Sequence, residues 1–523
     1  MEQISTTTPN SGWNKMPAEL RHMVFELCTW NTPNSAEPFD APYQLAALAS
    51  VSRDWQDYVE GRLFQRLTLK TEAEIETFAK LVRGRRRAHV RWIWLRVELP
   101  MYDCQQCHRT ETRKEILVHK HIFTNLVWNL FDVLSEWKNS EAWHAGITLE
   151  LSAHSPSDAQ HFNKDLRFRL HDTAWDRWDD RPVAPHHDPF HGWEDGKKVK
   201  KIPRKAKLRL FGHGLRFDYK LSCVRRMHMR LPKVSVVSSF VIRRQFPRSF
   251  SGLKSLNTIV LSLTRLSSFS YEPWRGPTVA YQTHQDTHYA FLANKALKAR
   301  MKSLKKVSIF ENHDDMFYRA SKNATMQRRK TGWLSCTLAR TSHKLEELYV
   351  AKNADAYEFF YAFRPQAPPA ERRWMVWKNL KKLSLTTRLL APGFGDLVTL
   401  MAAEGAMAMP KLQVMELWNC WTRRGIAAVF RFRRGETAAS VEFVSTWPGG
   451  LNFSAATKTA WGRVATANRP LPFSWEESTW NSGEIDGEHS MLSKLELVEH
   501  MLSPISLRQI AREDQRRREE RDA

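Results

Sequence analysis

The chain has 523 residues, 42% of them hydrophobic, which exceeds the ~250–300 residues at which one core stops growing and predicts several domains or an elongated array. No run approaches the ~18 apolar residues of a membrane span, and the opening MEQISTTTPNSGWNK has no apolar segment, so neither insertion nor secretion is expected and the address is cytoplasm or nucleus. The net charge is +24, yet residues 1–70 carry −2, so the remainder carries +26 and the two parts are expected to face different partners. The six cysteines (Cys28, Cys104, Cys107, Cys223, Cys336 and Cys420) are sparse for this length, and reduced thiols are the expectation.

Residues 1–12 read as a disordered start and 13–70 as a small helical module. Pro17 suits the first turn of a helix because its missing N–H costs nothing there, and Glu19 complements the positive end of the dipole. Leu20, Met23, Val24 and Leu27 then form one apolar stripe at i, i+3, i+4 and i+7. The proline-rich TWNTPNSAEPFDAP is a loop. Leu45, Leu48, Ala49 and Ser52 mark a second helix; Trp55, Val59 and Leu63 mark a third. Stripes alone would be satisfied by a helical hairpin capping the domain behind it.

The pattern MP-x-EL-x(3)-V-x(2)-L, followed by LAALASVSRDW and RLFQRLTL, resembles the F-box. Met16 stands in place of its opening Leu and Ser52 in place of its central Cys, and the loop at 29–42 is longer than usual. The resemblance implies a three-helix fold completed by another protein, the Skp-type adaptor of a cullin–RING ubiquitin ligase. Its adaptor contacts would be Met16, Pro17, Leu20, Val24, Leu27, Leu45, Leu48, Val51 and Trp55.

Beyond residue 70 the frame L-x-x-[apolar]-x-[apolar] recurs from Leu231, Leu266, Leu304, Leu345, Leu380 and Leu412, with steps of 35, 38, 41, 35 and 32 residues. Asn312, Asn353 and Cys420 occupy the ninth position, where leucine-rich repeats place a side chain that bonds the following turn. Helical stretches such as TGWLSCTLARTSHK and DLVTLMAAEGAMAM lie between frames, so the fold class is α/β, with parallel strands alternating with helices. The step exceeds the ~20–29 residues of regular leucine-rich repeats, which predicts an irregular solenoid over 71–500. LNTIVL from Leu256 is assigned to a helix. VRWIWLRVEL and GITLELS read as earlier strands around the helix IFTNLVWNLFDVLSEW. Residues 171–207 read as an exposed insertion, and 501–523 as a charged tail, helical or disordered.

Strand alternation would put Ser308, Phe310, Tyr349, Ala351, Ser384, Thr386, Glu416 and Trp418 on one concave surface. Phe310, Tyr349 and Trp418 are the expected target contacts.

Cys104-Gln-Gln-Cys107-His108 has a haem-attachment spelling, which the lack of an export signal sets aside. As half a zinc site the two cysteines could recruit His119 and His121, but these stand closer together than the usual ~3–5 residues. Two thiols in a polar loop, with no metal and no cofactor, are the expectation. Ser155, Asp158 and His161 have triad residue types without a nucleophile elbow, so a helix start capped by Ser157 or Asp158 is expected instead. The sequence has neither a phosphate-cradling glycine loop nor a metalloprotease helix, and no enzyme is expected. The basic runs RGRRR (83–87), KKVKKIPRKAK (197–207) and RRK (328–330) read as solvated surface.

An F-box followed by an irregular leucine-rich-repeat-like domain, together with LELSAHSPSD, IRRQ, YEPWR and MELWN, resembles fungal F-box proteins. The resemblance implies the substrate-recognition subunit of an SCF-type ligase, binding an acidic or phosphorylated protein target through the repeat domain. The alternative is a basic, nucleic-acid-associated scaffold without a ligase role.

Overall fold

Five of the six repeat frames become strands that begin two residues after the leading leucine: Leu266, Leu304, Leu345, Leu380 and Leu412 are buried and precede Ser268, Lys306, Glu347, Lys382 and Val414. The computed structural model describes residues 12–29, 47–137, 146–164, 166, 186–217, 231–276, 278–312, 332–373, 375–421, 426–467, 469–481 and 483–522. The expected disordered start up to residue 11, Leu45, and the insertion's first part (171–185) lie outside these. The chain forms two compact units, Met1–Leu67 with Ala79–Trp92, and Thr68–Phe78 with Ile93–Ala523.

In the first unit the helix Ala18–Thr29 packs on the helix Arg53–Leu63 through Phe25, Trp55 and Val59. Trp13, Leu48, Ala49, Tyr58 and Leu63 pack around this core, with ring centroids 4.6 Å apart for Phe25–Trp55 and 5.3 Å for Trp13–Phe25. Ser52, the residue standing at the F-box cysteine position, caps the second of these helices: its hydroxyl accepts from Trp55 N at 3.3 Å, satisfying a donor that the helix start leaves unpaired.

The second unit is α/β. Its strands are β1 (Arg66–Leu69, which begins in the first unit), β2 (Trp92–Glu98), β3 (Ile147–His154), β4 (Trp193–Glu194), β5 (Lys197–Lys198), β6 (Val237–Ile242) and β7 (Ser268–Tyr271). There follow β8 (Lys306–Phe310), β9 (Glu347–Ala351), β10 (Lys382–Thr386), β11 (Val414–Trp421), β12 (Ile426–Arg434), β13 (Ala439–Ser445) and β14 (Phe473–Thr479). A small antiparallel ribbon pairs β4 with β5; the other twelve form one sheet in the order β1-β2-β3-β6-β7-β8-β9-β10-β11-β12-β13-β14. Pairing is parallel from β3 through β11. It is antiparallel between β11, β12 and β13, and parallel again between β13 and β14.

Helices connect the parallel strands where the sequence reads as helical, including Gly332–Thr341 before β9 and Gly395–Ala406 before β11. LNTIVL is helical, as expected. The Leu231 frame is displaced: Val234 makes an isolated bridge with Leu263, and β6 starts only at Val237. The turn-bonding role expected of the ninth position is absent at Asn353. The Asn312 side chain accepts from Lys352 Nζ at 3.1 Å, and the buried Asn353 amide has no hydrogen-bond partner.

Two further segments are more buried than expected, and the tail takes the helical of its two expected forms. The described part of the insertion is folded inward, with His191, Trp193, Ile202 and Ala206 buried. The charged tail is the helix Pro504–Asp522, and Ile505, Ile510, Glu513 and Asp514 are buried. Its charge density hides a short apolar face, which a mean over the segment conceals. Among the described residues, no helix is long and apolar enough to cross a membrane.

Candidate functional site

The stripe Leu20, Met23, Val24 and Leu27 is not the inner face of its helix. Phe25 holds that place, and Leu20, Met23 and Leu27 are 48, 56 and 70% exposed. Val51, just ahead of the Ser52 cap, is 64% exposed. Pro17 is exposed, while Met16, Val24 and Leu48 are half-buried. Trp55 corrects one expectation: at 9% exposure, packed on Phe25 and Trp13, it belongs to the unit's own core. Arg21 pairs with Asp54 at 2.5 Å. Glu60, buried, accepts from Arg86 at 2.7 Å and Gln56 at 2.8 Å, and the Arg86 hydrogen bond holds its carboxyl below the usual range. Arg21–Asp54 thus adds a polar contact to the core of Phe25, Trp55 and Val59, while Leu20, Met23, Leu27 and Val51 face solvent.

Strand alternation is borne out on the repeat sheet: Ser308, Tyr349, Ser384 and Glu416 stand side by side across β8 to β11. That face is covered: of the eight residues expected on it only Thr386 is half-buried and the rest are buried. Phe310, Tyr349 and Trp418 are fully buried beneath Met491, Leu492, Leu497, Met501 and Ile510 of the C-terminal segment, which removes them as exposed target contacts. Aromatic side chains of ~150–250 Å² each give ~25 cal/mol per Å² on burial, so an open face of this composition favours a cover. The polar positions bind the cover. Ser308 Oγ donates to Met501 O at 2.6 Å, and Glu416 accepts from Glu496 N at 2.9 Å and Leu497 N at 3.1 Å. Tyr349 stacks on His500 with centroids 6.1 Å apart.

The residues considered for chemistry are rearranged. His119 is buried against Glu111 at 3.1 Å, well away from a ligand role, and Glu111 also pairs with Arg248. Against the upward pull of burial, Arg248 and His119 hold the Glu111 carboxyl down to about 2. His121 contacts Asn125. Ser155 is the cap of the short turn Pro156–Ala159, and its hydroxyl donates to Pro100 O at 2.8 Å. Asp158 receives two hydrogen bonds from Arg248, at 2.8 and 2.7 Å, so no triad assembles. His161 instead faces Cys104, with Nδ1 3.4 Å from Sγ, and His191 faces Cys107, with Nε2 3.6 Å from Sγ. Burial pushes the Cys107 thiol up to about 11. These histidines sit 57 and 84 residues from their cysteines, a spacing no local motif announces.

Residues 299–503, which run from just before β8 to the start of the C-terminal helix, match a family of unknown function, DUF6546. No curated protein and no solved structure matches the chain.

Proposed function

We propose that the chain is the substrate-recognition subunit of an SCF-type cullin–RING ubiquitin ligase. The first unit docks on a Skp-type adaptor as an F-box, and the second holds a protein target. The observation that carries this reading is the outward stripe Leu20, Met23 and Leu27, with Val51 also exposed, on a unit whose described core cluster is centred on Phe25, Trp55 and Val59. The even step of the frames and the parallel run from β3 to β11 support reading the second unit as an irregular leucine-rich-repeat-like array. The second unit carries +21, the basic stretch 79–92 belonging to the first unit, and this favours an acidic or phosphorylated target through long-range attraction. In this role the chain works in cytoplasm or nucleus and performs no chemistry itself.

The test is co-purification of the full chain with a Skp-type adaptor, for wild type and for the Leu20→Ala, Leu27→Ala double variant. Truncating a central interface leucine costs ~2 kcal/mol, or about thirtyfold in affinity, so the variant loses the adaptor while remaining folded. A folded wild-type chain that never captures adaptor ends the reading. Salt-sensitive recovery of nucleic acid in its place supports the scaffold alternative.

A further inference from the structure

Three separated stretches of the second unit bring two cysteines and two histidines together. Cys104 and Cys107 occupy a one-turn helix at i and i+3, a spacing that shares one face. Asp103 fixes the turn by accepting from Gln106 N at 3.0 Å. The donor atoms of Cys104, His161 and His191 all lie within 4.8 Å of one another; Cys107 Sγ stands outside that group, turned to Cys104 O at 3.1 Å and 3.6 Å from His191 Nε2. A tetrahedral zinc ion with Zn–S of ~2.3 Å and Zn–N of ~2.0–2.1 Å places its sulfur and nitrogen ligands about 3.5 Å apart. The observed S···N separations of 3.4 and 3.6 Å bracket that value.

The second nitrogen of each ring faces an acceptor. His191 Nδ1 lies 2.7 Å from Asp188 Oδ2, and His161 Nε2 lies 3.5 Å from Tyr102 O. With those nitrogens protonated, His191 Nε2 and His161 Nδ1 carry the lone pairs, and these are the atoms that face the thiols. A carboxylate or carbonyl behind each imidazole is the arrangement that orients histidine toward a metal. His161 also holds φ at +51°, a left-handed conformation sparsely populated by residues other than glycine, which its surroundings must impose. Trp193 Nε1 donates to His161 O at 3.2 Å and helps hold it there. A pair of structurally idle thiols would require none of these features.

We propose that Cys104, His161 and His191 bind one zinc ion and that the Cys107 side chain turns from Cys104 O to close the site as a fourth ligand, with Asp188 as a positioning residue. Thiolate and imidazole together suit zinc over harder cations. Binding converts two thiols to thiolates and releases two protons, and with four protein ligands no position is left for substrate, so the ion is structural. It fastens the β4–β5 ribbon and the turn at His161 to the turn that precedes the helix Arg113–Ser135. The site is independent of the ligase reading.

The experiment measures zinc in the purified, folded full chain, and the visible spectrum after exchange for cobalt. About one zinc per chain is expected, falling below about a tenth in Cys107→Ser and His191→Ala and unchanged in Cys336→Ser. Cobalt should show the intense bands of a tetrahedral thiolate site. Asp188→Asn should weaken zinc binding by about 10- to 100-fold without abolishing it. Should the ligand variants fail to fold, the wild-type stoichiometry and cobalt spectrum decide alone. A folded wild-type chain with less than about a tenth of a zinc and no tetrahedral cobalt bands overturns the proposal. So does a Cys104–Cys107 disulfide in the native protein, or full zinc retention in the ligand variants.

Discussion

Arg244 grips Glu513 through hydrogen bonds of 2.8 and 2.6 Å, with both side chains buried and 269 residues apart in sequence. Glu272 works beside them, accepting from Ser503 N at 2.8 Å at the start of the last helix. Glu513→Ala leaves a guanidinium in the interior without this partner, and breaking a buried pair in this way costs ~3–5 kcal/mol. We expect a lowered melting temperature, with Trp418 becoming accessible to an aqueous fluorescence quencher. An unchanged melting temperature would show that the C-terminal helix contributes little to the unit.

Gly405 lies inside the helix Gly395–Ala406, where alanine would ordinarily stabilise by ~1 kcal/mol. Here an added Cβ would sit 2.5 Å from a ring carbon of the buried Phe360. Overpacking of this kind costs ~1–3 kcal/mol, so the net sign is reversed. Gly405→Ala should lower the urea midpoint, and Gly405→Ala with Phe360→Leu should recover part of the loss.

In the first unit Phe25→Ala removes the aromatic at the centre of the core and should cost ~3–5 kcal/mol. Leu20→Ala and Leu27→Ala touch exposed side chains and should stay within ~0.5 kcal/mol of wild type. Helical signal against temperature for the three variants distinguishes them. A large loss at Leu20 would mean that the stripe serves an internal core.

His154 is buried with Nε2 3.2 Å from Arg96 Nη2. Burial first, then the charges of Arg96, Lys70 and Arg248, push its pKa down to about 3. Between about pH 6.5 and about 3 the unfolded chain therefore takes up a proton that the folded chain refuses. The contribution is complete above the unfolded value and is lost as pH falls, at up to ~1.4 kcal/mol per pH unit. His154→Gln should flatten the acid limb of stability against pH, measured by urea unfolding. An unaltered slope would mean that the ring titrates normally.

The strands from β7 to β11 were legible because a leucine, a period of two and an even step all act within a few residues. The burial of Phe310, Tyr349 and Trp418 was not, since it is decided by Met491, Met501 and Ile510, which no local pattern links to the sheet. The last helix misled for a related reason: its apolar face is short, and Arg, Glu and Gln dominate its composition. β12 and β13 lack the leading leucine of the frames, and β14, with Leu471 two residues ahead of it, has Ser474 and Glu476 where the frame needs apolar residues. Of the proposed metal-binding set the cysteines are visible in sequence, while His119 and His121 do not face them. The nearest sequence signals for the pair that does are His161 closing AHSPSDAQH and the Asp188-x-x-His191 step, and both need the fold to bring them to Cys104 and Cys107.

The cover over β8 to β11 also sets an order in time. Synthesis delivers Phe310, Tyr349 and Trp418 well before residues 491–510, so a growing chain can pair these strands while one face is still wet and aromatic. The final helix closes a loop of more than two hundred residues to reach Arg244 and Glu272, a slow step by loop entropy, though only logarithmically so. A chain that stops short of residue 491 therefore carries its own mark of incompleteness, an apolar patch that a chaperone or protease can read.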